Sequence, residues 1–340
     1  MNETTLHVQD QIDQVIKEVD FSGVILASKQ DTLLVEKTSG FANKSEQRPN
    51  QIDTRFGIAS GCKIFTAIGV CKLVEEGKLS FDSTLKSVLP FDFPEFEDSI
   101  TVHHLLTHTS GVPDYFDEET MDDFADLWKE RPMYLLRNLE DFLPMFQHQP
   151  MKFAPGERFH YNNAGYILLG LIIEKITGRT FRDYITEELF LAIGMKNSGY
   201  FFMDQLPSNT AIGYVSENTS NIYSLPIVGG SDGGAFITAA DMANFWKALI
   251  TNQVLSVEMT KHLLTPHIQV KEGVYYGYGV WISMNGDDVV KFHVMGYDPG
   301  VSFHSGYYPV SGLTLVVPSN ASEGAYSVTK KLEELLLHEA

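Results

Sequence analysis

Apolar residues at Val8, Ile12, Val15, Ile16 and Val19 recur at intervals of three and four, the spacing of one face of an amphipathic helix. The period then shortens. Residues 23–28 and 32–37 read as two strands, joined by polar Lys29-Gln30-Asp31. Helical spacing returns with a run from Ser60 through Ile64, Phe65, Ile68 and Val70, which stops at Gly77. A second helix starts near Ala164, carries Leu168, Leu169, Ile172 and Ile173, and stops at Gly178. Thr180-Phe181-Arg182-Asp183 is close to a capping box. Thr238-Ala239-Ala240-Asp241 opens a further helix with Met242, Phe245, Trp246 and Leu249 on its apolar face. Beyond residue 275 the pattern reverts to strands, at 278–283, 289–295, 301–307 and 313–317. Asn285-Gly286-Asp287 and Val310-Ser311-Gly312 are turns between them. A last helix spans 327–338, with Val328, Leu332, Leu335 and Leu336 inward.

Strands at both ends and helices between them predict an α/β (α+β) fold. Short turns between consecutive strands imply antiparallel pairing. The expected architecture is one sheet built from both termini, covered by the terminal helices, with a helical region inserted. The chain then forms a single domain over 1–340. Its sheet part takes about 8–57 and 265–340, and its mostly helical part about 58–264. No repeat interrupts this plan. Residues 89–99 and 113–126, rich in acids with prolines or aromatics, read as surface loops.

Composition narrows the function classes. A 340-residue chain with 44% apolar residues can bury a large core. A net charge of −19 excludes the clustered cations that nucleic acid or an anionic membrane surface requires. No stretch approaches the roughly 20 apolar residues of a membrane span. The first residues, Met1-Asn2-Glu3-Thr4-Thr5, lack a basic start and an apolar core. The chain as given therefore reads as cytoplasmic, unless an export signal has been removed. Cys62 and Cys71 lie nine residues apart on one helix, roughly 13 Å and too far for a disulfide. Cys62 has no histidine nearby in sequence and reads as a packing residue.

Three short motifs carry chemistry. Ser60 and Lys63 stand three apart at a helix start, so hydroxyl and amine share a face. Serine needs a nearby base to act as a nucleophile. A helix N-terminus and burial both favour the uncharged amine. Tyr161 and Asn163 follow the Pro155-Gly156-Glu157 turn and lead into a helix. The phenol can relay a proton, and the amide can hold a substrate amide. Finally, His293-Val294-Met295-Gly296-Tyr297-Asp298-Pro299-Gly300 ends one strand and turns into the next. A backbone N–H there can serve an oxyanion, with Gly296 permitting close approach. His104 and His108, four apart, are the remaining candidate metal pair.

These motifs, in this order, resemble the serine β-lactamase and penicillin-binding protein superfamily, in the branch of class C β-lactamases, D,D-peptidases and related esterases. Further stretches fit the same branch: Leu105-Leu106-Thr107-His108-Thr109-Ser110-Gly111-Val112-Pro113, the span from Pro155 to Gly170, Gly233 to Met242, and Pro299 to Phe303. The similarity covers about residues 10–335. It implies a five-stranded antiparallel sheet with helices on both sides and an all-helical insertion. It also implies an acyl-enzyme on Ser60, formed from an amide, ester or lactam of a small molecule or peptide. Lys63 and Tyr161 would share the proton transfers. Asn163 would orient the substrate. The N–H of Ser60 and one from Gly296-Tyr297 would bind the oxyanion. The stretch that holds His104 and His108 is structural in the family these motifs resemble, so no metal and no cofactor is expected. One departure stands out. The Lys or His of the third motif falls on Val294, and His293 is one residue out of register. Either a bulge re-aims His293 into the site, or an apolar residue replaces the usual carboxylate contact. That departure motivates a rival reading, a penicillin-recognising fold used as a low-turnover binding or sensing module.

Overall fold

The structure, a computed structural model, describes residues 3–30, 32–121 and 123–337. Asp31 of the first predicted turn, Asp122 of the acidic loop and His338 of the last predicted helix lie outside them.

The period-two segments at both ends assemble into one antiparallel sheet. Its strands are β1 (Gly23–Lys29), β2 (Thr32–Ser39), β3 (Ile268–Lys271), β4 (Val274–Tyr276), β5 (Trp281–Asn285), β6 (Asp288–Asp298), β7 (Val301–Tyr308) and β8 (Leu313–Ser319). Their order is β2-β1-β8-β7-β6-β5-β4-β3. The C-terminal strand therefore pairs with the N-terminal one, Gly23 opposite Ser319 and Lys29 opposite Leu313. The sheet has eight strands, where the resemblance implied five and the sequence pattern marked six. The additional pair, β3 and β4, is four and three residues long and turns at Gly273 (φ +69°). Such short strands carry too few alternations to register in a sequence pattern. Gly277 and Gly279 (φ +70°) delay β5 until Trp281, past the predicted start at 278.

Side chains alternate across the sheet, and each face buries its own core. On one face Ile25, Ala27, Leu315 and Val317 meet α1 (Glu3–Glu18) through Val8, Ile12 and Val15. The same face meets the C-terminal helix through Val328 and Leu332. Each such side chain contributes about 1.5–3 kcal/mol relative to exposure. The opposite face presents Val24, Leu26, Val294, Phe303 and Val316 to the central helices. These are α2 (Lys63–Glu75), α3 (Asn163–Thr177) and α4 (Ala239–Ile250); the C-terminal helix is α5 (Ala325–Leu337). Apolar all round, α2 is buried over most of its length, as a helix without a polar face must be.

Caps fall where the sequence placed them. Thr180 Oγ1 accepts from Asp183 N–H at 3.2 Å, and Thr238 Oγ1 from Asp241 N–H at 3.1 Å. Gly178 closes α3 at φ +68°. Between the helices the chain is less regular than its reading as mostly helical. Residues 107–123 and 192–235 are largely loops and bends, and they wall the site described next.

Candidate active site

The chain enters α2 through a 3-10 turn, Ala59–Cys62, so Ser60 precedes the α-helix proper. Ala59 holds φ +45°, a conformation costly for a residue with a Cβ. The turn presents Ser60 to a cavity of about 370 Å3 and sends Lys63 inward, only 1% exposed. Lys63 Nζ lies 2.9 Å from Ser60 Oγ. It donates to Asn163 Oδ1 at 2.8 Å and to the Asp232 carbonyl at 2.6 Å. Two carbonyls and one hydroxyl therefore fill the three remaining positions around the nitrogen.

Tyr161 joins this pair from the loop before α3. Its hydroxyl is hydrogen-bonded to Ser60, and burial holds its pKa well above the usual phenol range. Its ring is wedged against His108, centroids 4.4 Å apart, and stacks on Trp281 at 6.1 Å. Lys63 Nζ sits 4.9 Å from the same ring centroid. Lys63 from the same helix start and Tyr161 from a distant loop thus converge on the Ser60 hydroxyl.

Several groups that sequence reasoning did not single out hold this arrangement. Asp114 accepts the N–H of Asn163 at 2.7 Å and of Ala164 at 3.0 Å, fixing the start of α3 and so the amide that meets Lys63. Burial raises the Asp114 pKa to about 7 despite those bonds. The Tyr115 hydroxyl donates to the Asp232 carboxylate, steadying the carbonyl of that same residue. The only sequence sign was compositional: Asp232 opens a Gly-Gly step, and Asp114 follows a proline. His108 (φ +57°) accepts the Asn162 N–H on Nδ1 at 3.1 Å. His104 Nδ1 accepts the Thr101 N–H at 3.2 Å in a capping box. The candidate metal pair is therefore engaged in two separate backbone contacts.

The third motif divides. Strand β6 pairs with β7 without a break from Phe292 to Asp298, and its irregularity against β5 falls earlier, between Val289 and Lys291, so no bulge within the motif re-aims His293. Gly296 faces the Ser60 turn. A Cβ there would lie 2.1 Å from Ile58 O and 2.9 Å from both Ser60 N and Gly61 N. Only glycine lets strand and turn approach so closely. Val294, two residues back on the same face, is 2% exposed in the core. His293 belongs to the other face, opposite Gly306. The cavity lining does not include it, its Nδ1 is buried without a hydrogen-bond partner, and burial holds its pKa well below the usual imidazole range. The expectation that His293 contacts substrate is corrected by strand geometry, because one residue of offset is one change of face. Tyr297 lines the cavity, and its hydroxyl is hydrogen-bonded to His304 Nε2.

With this geometry in place, comparison with known proteins decides the family. The Beta-lactamase family model matches residues 8–339. The chain belongs to that family. Penicillin-binding protein 4* of Bacillus subtilis (strain 168) is 29% identical over 97% of this chain and 75% of its own length. The crystal structure of a penicillin binding protein from Bacillus halodurans has 53% sequence identity and a TM-score of 0.92, covering 96% of this chain and all of that one. The D-amino acid amidase from Ochrobactrum anthropi SV3, at 22% identity and TM-score 0.80 with 99% of both chains covered, shares the fold. Family membership makes the chain a serine hydrolase. Among the described residues, no helix is long and apolar enough to cross a membrane.

Two expected results follow from the site's construction. The Gly296→Ala variant must push strand from turn. We expect kcat/KM to fall about 100-fold, the cost of a misplacement near 1 Å, and the overpacked interface to lose about 1–3 kcal/mol of stability. Ester kinetics and a thermal melt measure both. Cys62 is buried, and burial pushes its thiol up to about 11. Native protein at pH 8 is therefore expected to resist iodoacetamide at both cysteines and to take up two equivalents after denaturation, read by intact mass.

Proposed function

We propose that the chain hydrolyses amide, ester or lactam carbonyls through an acyl-enzyme on Ser60. The observation that carries this reading is the 2.9 Å contact between Lys63 Nζ and Ser60 Oγ, with the nitrogen held in place by Asn163 Oδ1 and the Asp232 carbonyl. The Ser60 oxygen attacks the carbonyl carbon and its proton passes to Lys63 Nζ. The carbonyl π electrons move to oxygen, which the N–H of Ser60 and one from Gly296-Tyr297 receive. Collapse expels the amine or alcohol, which takes a proton through the Tyr161 hydroxyl. Water then releases the acid by the same groups in reverse. Asn163 orients Lys63 through Oδ1 and keeps its NH2 for the substrate. The 53% identical structure carries the name penicillin binding protein, which supports lactams among the substrate classes.

A fluorophosphonate tests the reading, with intact mass as the readout. One label per chain is expected, lost in Ser60→Ala. Turnover of p-nitrophenyl esters then distinguishes a hydrolase from a binding module. Labelling that persists in the variant overturns the assignment of Ser60.

A further inference from the structure

The cavity beside Ser60 is acidic. Glu118, Asp123, Asp232 and Asp298 line it, and no Lys, Arg or His does. The nearest cation, Lys63, lies beneath the surface, bound to Ser60, Asn163 and Asp232. Asp298 is half-buried and, like the exposed Glu118, has no side-chain partner among the described residues. It is two residues past Gly296 on the same face of β6, roughly 7 Å along the strand. The Pro299-Gly300 turn (Gly300 φ +74°) holds it at the cavity wall, with Val301 opposite. Asp232 has the Tyr115 hydroxyl and Asp114 has two backbone N–H groups. Among the described residues, no side-chain hydrogen bond or ion pair reaches the Asp298 carboxylate. Beside it on the same wall is Asn221, 2% exposed. Asn221 Nδ2 donates to the Pro299 carbonyl at 3.0 Å, while its Oδ1 is buried with no partner. The Asp298 carboxylate and Asn221 Oδ1 are thus two acceptors on this wall without a hydrogen-bond partner.

We infer that this cavity selects substrates carrying a protonated amine near the scissile carbonyl, and that Asp298 is the residue that pairs with it. The inference rests on the acyl-enzyme reading and adds a substrate class to it. A substrate carboxylate would meet four acids, and the strand position where the family places a cation is the core residue Val294. An ammonium would meet complementary charge and bring N–H donors to the unpartnered Asp298 carboxylate. Burial, then the neighbouring Asp232 and Glu118, push the Asp298 pKa up to about 7, with Lys63 opposing.

The test is competition for Ser60. Alaninamide, as either enantiomer, and its N-acetyl derivative are compared for protection against fluorophosphonate labelling at pH 7. The two differ in the charged amine while keeping the amide. We expect the free amine to protect at a 10- to 100-fold lower concentration, the range of a hydrogen bond to a charged group. That ratio should fall toward one in Asp298→Asn and recover in part in Asp298→Glu. Equal protection by both compounds in the wild-type chain overturns the inference while leaving the labelled serine standing. A preference that survives in a folded Asp298→Asn moves the role away from Asp298. Absence of labelling in the wild-type chain overturns both readings. Should Asp298→Asn fail to fold, the wild-type ratio alone decides the substrate class.

Discussion

Replacing Ser60 with alanine is expected to lower kcat/KM for a neutral p-nitrophenyl ester by about 10⁴-fold or more, the scale on which removing a nucleophile acts in serine hydrolases. The variant should fold normally. Ser60 is partly exposed, and alanine already occupies the strained position before it. Loss of the hydroxyl frees one contact of Lys63, whose bonds to Asn163 and Asp232 remain. A thermal melt should therefore stay close to wild type while activity disappears. A variant that keeps within tenfold of wild-type turnover would show that another group, or water alone, attacks the carbonyl.

Lys63→Met is expected to cost about 10²–10⁴-fold in kcat/KM, the range of a positioned general base. Here stability should fall as well. The methionine leaves Asn163 Oδ1 and the Asp232 carbonyl without their donor in a buried site, at about 1–3 kcal/mol for each group left unsatisfied. It also removes the cation that holds down the pKa values of Asp114, Asp232 and Asp298. All three then move further up, and Asp298, already near 7, becomes largely neutral at pH 7. The amine preference of the wild-type chain should therefore weaken in Lys63→Met even though Asp298 is unchanged. Kinetics, a melt and the competition ratio read the three effects separately. Unchanged labelling of Ser60 in Lys63→Met would assign the proton to Tyr161 instead.

What the sequence disclosed and what it concealed have different physical origins. The Ser60, Lys63 and Tyr161 set was legible because each residue type is chemically specific and sits beside a helix start. Long, strongly periodic elements such as α3 and β7 were legible because their apolar faces must be buried. Asp114 and Asp232 were not legible. Asp114 works by accepting a backbone N–H 49 residues away, and Asp232 by offering its own carbonyl to the Lys63 amine 169 residues away, and no local pattern records such contacts. The strands β3 and β4 were too short to show a period. His293 illustrates the sharpest limit. Composition put a histidine next to the expected position, but strand alternation decides which side chain faces the serine, and it chose Val294. Asp298 was in plain view in the motif, yet its meaning depends on Glu118 and Asp232 sharing its cavity, which only the fold reveals.

The central claim is that the acyl group is carried on Ser60. During turnover of a p-nitrophenyl ester, rapid acid quenching followed by proteolysis and peptide mass analysis should find the acyl group on the peptide containing Ser60, and on that residue within it. An acyl group on Cys62, Tyr161 or any other side chain, or steady turnover with no covalent adduct, would contradict the account.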